Sequence, residues 1–201
     1  TYMDGVWFSD NQNPKRGTEI LRETVLRIPP QKLERWAVLA NADGFPKVYS
    51  ETGESSRLFA VGGPTWQRAE TVSMKYMRSF CTGGAFGITC DLTAINEKTL
   101  GELKDCVSEF KNMRDFYKNA VCLPLVSTDT FTVLQYTDSE EKTVVLQVFE
   151  RQARQSRITV YPKLKKNRSY GVYSAENGIT LELNHAPQIS DDCTGIILTA
   201  D

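Results

Sequence analysis

Val6-Trp7-Phe8-Ser9-Asp10-Asn11, with Pro14 close behind it, is the stretch on which the reading of this chain turns. A short apolar run ends in Ser-Asp-Asn, and the chain then becomes helical. Pro14 suits the first turn of a helix, where its missing N–H has no partner to lose. Ile20, Leu21, Val25 and Ile28 recur at helical spacing. Pro29-Pro30 ends the pattern. The unit is therefore a strand (Gly5 to Ser9) feeding a helix. In a barrel of alternating strands and helices, catalytic side chains gather where strands end and βα-loops begin. Asp10 stands at such a junction and is a candidate general acid/base. The run lies close to Thr1, and the expectation is that this is the C-terminal part of something larger.

The pattern repeats downstream. Trp36-Ala-Val-Leu-Ala40 is a second short apolar run, bounded by Asn41-Ala-Asp-Gly44. Residues 42–63 read as an extended loop rich in Gly, Ser and Glu. Pro64 is expected to open a second helix with the stripe Ala69, Val72, Tyr76, Met77 and Phe80, stopped by Gly83-Gly84. Phe86, Ile88 and Cys90 alternate as a third strand. Asn96 can cap a third helix whose buried face is Leu100, Leu103, Val107, Phe110 and Met113. Strands alternating with helices argue for parallel strands joined by crossovers. Three such units over residues 1–121 are too few to close a barrel and fit the last part of one.

Residues 122–201 change character. Phe131 to Tyr136, Thr143 to Phe149, Arg157 to Tyr161, Tyr170 to Tyr173, Ile179 to Leu183 and Ile196 to Thr199 read as strands. Turn residues separate them, and Asn177-Gly178 is a strong hairpin signal. Short strands punctuated in this way predict a small antiparallel β-sandwich. The fold class expected is α/β: the C-terminal portion of a (β/α)8 barrel followed by that sandwich.

Composition excludes some functions. The chain has 201 residues, 40% hydrophobic and 24% charged, which is ordinary globular chemistry. A net charge of −1 carries no basic field for nucleic acid or an anionic membrane. No apolar run reaches the roughly 18 residues a spanning helix needs. Cys81, Cys90, Cys106, Cys122 and Cys193 form no Cys-x-x-Cys pair, so no structural zinc site is expected; free, mostly buried thiols in a reducing, cytoplasmic compartment are. His185 is the only histidine, which leaves little from which to build a Ser-His-Asp triad or a His-rich metal site. No cofactor and no metal are expected.

Several segments, in order, resemble the C-terminal part of glycoside hydrolase family 36, the microbial-type α-galactosidases. Trp7-Phe8-Ser9-Asp10-Asn11 is similar to the family's Trp-x-Ser-Asp segment at the end of a late barrel strand. Arg68 and Arg78 approximate the arginine pair that precedes its Gly-x-Phe-Gly segment. Gly84-Ala-Phe-Gly87-Ile-Thr-Cys-Asp91-Leu92 resembles its last barrel strand. The helix ending Phe110-Lys-Asn-Met-Arg-Asp-Phe-Tyr117 resembles its final helix. The resemblance implies a retaining glycosidase acting on terminal α-galactosyl residues of oligosaccharides. Asp10 would be its acid/base, and Trp7, Asn11, Asp43 and Asp91 would contact substrate. Such an enzyme needs a second carboxylate as nucleophile. The family's nucleophile lies in a Lys-Trp-Asp segment, and this sequence has none. The expectation is that this polypeptide alone does not turn over, and that it works with the remainder of the same enzyme or another copy, as a homo-oligomer.

A second departure is Trp36 to Asp43, which stands without histidine where the family has a Gly-Ala-His-type segment. Substrate range is expected to differ accordingly. Other readings stay open. Without the resemblance, Asp10 is a helix N-cap or turn residue, Trp7 is core, Asp43 and Asp91 cap turns, and Arg68 and Arg78 make ion pairs. An inactive carbohydrate-binding or assembly module is the alternative function.

Overall fold

The computed structural model describes residues 5–7, 14–38, 57–60, 70–89, 92–94, 97–150, 157–165, 179–182 and 192–199. Strand β1 (Val6–Trp7) is followed by helix α1 (Pro14–Thr24), with Pro14 as its first residue. A single 3-10 turn, Pro30–Lys32, leads into β2 (Leu33–Val38). Next come β3 (Arg57–Ala60), β4 (Glu70–Ser73), helix α2 (Met74–Thr82) and β5 (Ala85–Thr89). Helix α3 (Glu97–Asn119) closes this half. β1, β2 and β5 form one parallel sheet in that order.

Three sequence expectations need correction here. Residues 42–63 are not loop throughout: Arg57–Ala60 is a strand, paired antiparallel with Glu70–Ser73. The expected start at Pro64 lies outside the described residues, but the helix that carries Tyr76, Met77 and Phe80 starts at Met74, and Glu70-Thr71-Val72-Ser73 precedes it as strand. The β-branched Thr71-Val72 pair favours the pleated backbone. The third correction is to α3. Leu100 was expected on its buried face but is 43% exposed, while Leu103, Cys106 and Tyr117 are buried. The stripe starts one turn later and runs further along the helix.

The second half is an antiparallel sheet in the order β11 (Asp192–Thr199), β8 (Thr143–Glu150), β7 (Phe131–Thr137), β6 (Val121–Ser127). β6 was not foreseen. It contains Pro124 and shifts register between Pro124 and Val126, and among the described residues it is an edge strand, the place in a sheet that tolerates proline. A separate pair joins β9 (Arg157–Val160) to β10 (Ile179–Glu182). The expected strand Tyr170 to Tyr173 and the Asn177-Gly178 turn lie outside the described residues.

Both faces of β7 and β8 are buried, and alternation sends their side chains to two cores. Phe131, Val133, Val144, Leu146 and Val148 pack with Val160 of β9. Leu134, Tyr136, Val145 and Phe149 join Leu21, Leu33, Phe80, Cys81, Leu103 and Cys106. This second cluster contains residues of α1, β2, α2, α3, β7 and β8, so the parallel and antiparallel sheets share one core. Arg22 of α1 reaches across as well, donating to the Ser127 hydroxyl of β6 at 3.1 Å. Among the described residues no helix is long and apolar enough to cross a membrane.

Candidate active site

The parallel sheet orients the candidate residues. Val6 pairs with Leu33 and Trp7 with Glu34, while Glu34 to Val38 pair with Ala85 to Thr89. All three strands therefore run in the same direction, so that the βα-loops after them depart toward one edge. Trp7 is the last residue of β1. Asp10 and Asn11 follow β1 in sequence, Asp43 follows β2 and Asp91 follows β5. These four residues, with Arg68, lie outside the described residues. The structure describes the parallel strands that precede these residues.

The two faces of the sheet differ sharply. Leu33 and Arg35 are fully buried, and Val6, Phe86 and Ile88 pack beside them against the shared core. Glu34 and Trp36 alternate onto the opposite face, where Glu34 is exposed and Trp36 half-buried. The Trp36 ring lies over Gly87, its register partner on β5. A Cβ on Gly87 would stand 2.6 Å from Trp36 Cδ2 and 2.7 Å from Cε3.

Arg35 has no counterpart in the sequence reading, which began the strand one residue later, at Trp36, whereas it spans Leu33–Val38. It points into the core and bridges the two sheets. Its Nη1 donates to the Phe80 carbonyl at 3.1 Å and to the Tyr136 hydroxyl at 3.2 Å. Among the described residues its Nε and Nη2 find no acceptor. Tyr136 stacks edge-on to Tyr117 with centroids 5.0 Å apart, and Gln147 Nε2 donates to the Tyr117 hydroxyl at 3.3 Å. Burial pushes the Tyr117 phenol up to about 12, the Arg35 charge holding it back somewhat. Burial likewise raises the thiols of Cys122, to about 12, and Cys106, to about 11. Cys81, Cys106 and Cys122 are buried thiols outside any disulfide. Protonated thiols at neutral pH are packing groups, not nucleophiles.

Arg78 meets the ion-pair expectation, bonding Glu109 of α3 at 3.0 Å. A cavity of about 420 Å³, lined by Gln31, Gly84, Ala85, Phe110, Arg114 and Tyr117 among others, opens at the amino end of β5. That is the wrong end of the strand for the candidate residues. Among the described residues no cluster of His, Cys, Asp and Glu could hold a metal ion.

No family model matches the chain. No curated protein matches it either. Solved structures do. The α-galactosidase AgaA from Geobacillus stearothermophilus, a glycoside hydrolase family 36 protein, superposes with a TM-score of 0.77 at 18% identity, over 100% of this chain and 26% of its own. AgaB from the same organism gives 0.72 at 20% identity, over 100% and 26%. The α-galactosidase from Lactobacillus brevis gives 0.73 at 15% identity, over 94% and 25%. Variants of AgaA have been crystallised with raffinose and with stachyose. The chain spans about a quarter of the length of the structures it matches, and over that quarter its fold is that of the family 36 α-galactosidases.

Proposed function

We propose that this chain is part of a retaining α-galactosidase-like glycoside hydrolase acting on terminal α-galactosyl residues of oligosaccharides. One observation carries the reading: three parallel strands run toward one edge, in a chain that superposes end to end on α-galactosidases. Both outer strands, β1 and β5, have a free edge among the described residues. That fits a sheet continued by further strands into a (β/α)8 barrel, with the antiparallel half as a β-sandwich domain beside it.

In this reading Asp10, beyond the end of β1, is the acid/base. It protonates the departing glycosidic oxygen and then takes a proton from the incoming water. The nucleophile, supplied from outside this sequence, would sit about 5–5.5 Å away. Asp10 must be protonated in the first step and ionised in the second, so its proton affinity has to follow the charge on the nucleophile. Trp7 and Asn11 would line the sugar pocket from the same loop. Asp43 and Asp91 would reach galactose hydroxyls from the ends of β2 and β5. Raffinose and stachyose, which AgaA variants bind in crystals, are the substrates to try. The chain would work with the remainder of its enzyme in a cytoplasmic homo-oligomer.

The test is hydrolysis of 4-nitrophenyl α-galactoside by the intact protein and its Asp10→Ala variant. Loss of an acid/base lowers turnover by about 10²–10⁴-fold. Added azide should restore turnover and yield the α-galactosyl azide, because it attacks the glycosyl-enzyme from the face that water uses. An unimpaired Asp10→Ala variant would refute the assignment. An inactive wild type that still binds raffinose would favour a carbohydrate-binding module.

A further inference from the structure

Trp36 has two features that packing alone does not explain. Its indole N–H has no acceptor among the described residues and is removed from solvent. A buried Trp N–H usually finds a partner, and leaving one unpaired is unfavourable. The second feature is Gly87. A Cβ there would lie 2.6–2.9 Å from three atoms of the fused ring edge, Cδ2, Cε3 and Cε2. Gly87 has no left-handed φ, so the backbone does not demand glycine. The ring demands it: only hydrogen leaves room for an indole lying across the seam between β2 and β5.

Position completes the argument. Trp36 lies near the carboxyl end of β2, two positions before its last residue, Val38. It is on the face opposite Arg35 and the shared core. If the sheet continues into a barrel, this is the inner face, near the end where substrate enters. An aromatic ring with a free donor matches a pyranoside, which presents apolar C–H groups on one face and hydroxyl acceptors around its edge.

We propose that Trp36, held in place by Gly87, is a specificity-determining residue of the glycosidase, its N–H donating to one hydroxyl of the bound galactoside. This rests on the functional reading above and adds to it a contact from a segment that departs from the family pattern. The experiment compares the intact wild-type protein with Trp36→Phe and Gly87→Ala on 4-nitrophenyl α-galactoside and its monodeoxy analogues. Calorimetric titration with raffinose is run on all three proteins.

Trp36→Phe keeps most of the ring and removes the donor. KM should rise about tenfold with kcat little changed, the size of one neutral hydrogen bond made equally in ground and transition states. One deoxy analogue should cost the wild type a similar factor and cost Trp36→Phe nothing more. Gly87→Ala, which displaces the ring without touching the donor, should also raise KM. An unchanged KM in both variants would overturn the proposal. So would a loss that is the same for every analogue, which would mean that the N–H serves a protein acceptor. If the wild type hydrolyses nothing, titration separates the two readings. Raffinose binding that weakens about tenfold in Trp36→Phe keeps the contact and removes the glycosidase. No binding by the wild type removes both.

Discussion

Alanine at Gly83 and alanine at Gly101 should have opposite effects, and the structure fixes both signs. Gly83-Gly84 reads in the sequence as a helix stop of the kind that needs a left-handed backbone. Neither residue has such a φ. What they have is close neighbours. A Cβ on Gly83 would lie 2.6 Å from Arg35 Nη1 and closer still to the Tyr136 hydroxyl. Arg35 and Tyr136 are both fully buried and cannot swing away. Overpacking of this kind costs about 1–3 kcal/mol, and distorting the Arg35–Tyr136 hydrogen bond adds about 1 kcal/mol. The stiffer unfolded chain returns about 0.4–1 kcal/mol. The net is about 1–3.6 kcal/mol of destabilisation. Gly101 lies within α3 with nothing inside 4 Å of its Cβ position. There alanine should stabilise by up to about 1 kcal/mol. Hydrogen exchange on the intact protein reads this locally. Protection in α2 and β7 should fall about tenfold or more in Gly83→Ala, since 1.4 kcal/mol is a factor of ten. It should hold or rise in α3 for Gly101→Ala. Unchanged exchange around Gly83, or equal loss in both variants, would show that the seam between the sheets is looser than described.

Gln135 makes a second local prediction. Its amide accepts from the Lys163 N–H at 2.8 Å and donates to the Lys163 carbonyl at 2.8 Å, as a neighbouring strand would. Gln135→Leu should cost about 1–3 kcal/mol and speed exchange at Lys163 well before β8 is affected; an unaltered Lys163 amide would contradict it. The thiols give a pH dependence. Cys106 and Cys122 move from an ordinary 9.0 to about 11 and about 12 through burial. The folded state therefore holds these protons more tightly than the unfolded state does. Their contribution is complete below pH 9 and is lost as pH rises from there through the folded values. Denaturant midpoints should fall from pH 9 upward, and a thiol reagent at pH 8 should label Cys81, Cys106 and Cys122 only on unfolding. Rapid labelling at these three positions in the native protein would refute their burial.

The parallel sheet was legible from short apolar runs followed by turn chemistry, as in Val6-Trp7 and Phe86 to Ile88, although the charged Glu34 and Arg35 hid the first half of β2. The antiparallel half was legible from alternation in Phe131 to Tyr136 and Thr143 to Phe149. What escaped did so for identifiable reasons. Val72, Tyr76, Met77 and Phe80 fit a helical period, and that period hid a strand-to-helix junction at Ser73–Met74. Pro124 hid β6, since proline argues against a strand except at an edge, and edges are set by partners far away in sequence. Arg35 and Gln135 are polar residues whose burial depends on partners about 28 to 101 residues distant. Of the candidate site, sequence located the strand ends. The geometry of Asp10, Asn11, Asp43 and Asp91 lies outside the described residues, and Trp36 emerged only from its contact with Gly87.

The most direct test of the central claim follows the anomer of galactose released from 4-nitrophenyl α-galactoside by the intact protein, using proton NMR in the first minutes of reaction. The account predicts α-galactose first, with β-galactose appearing only as the sugar mutarotates. Release of β-galactose first, or no release of galactose at all, would contradict it.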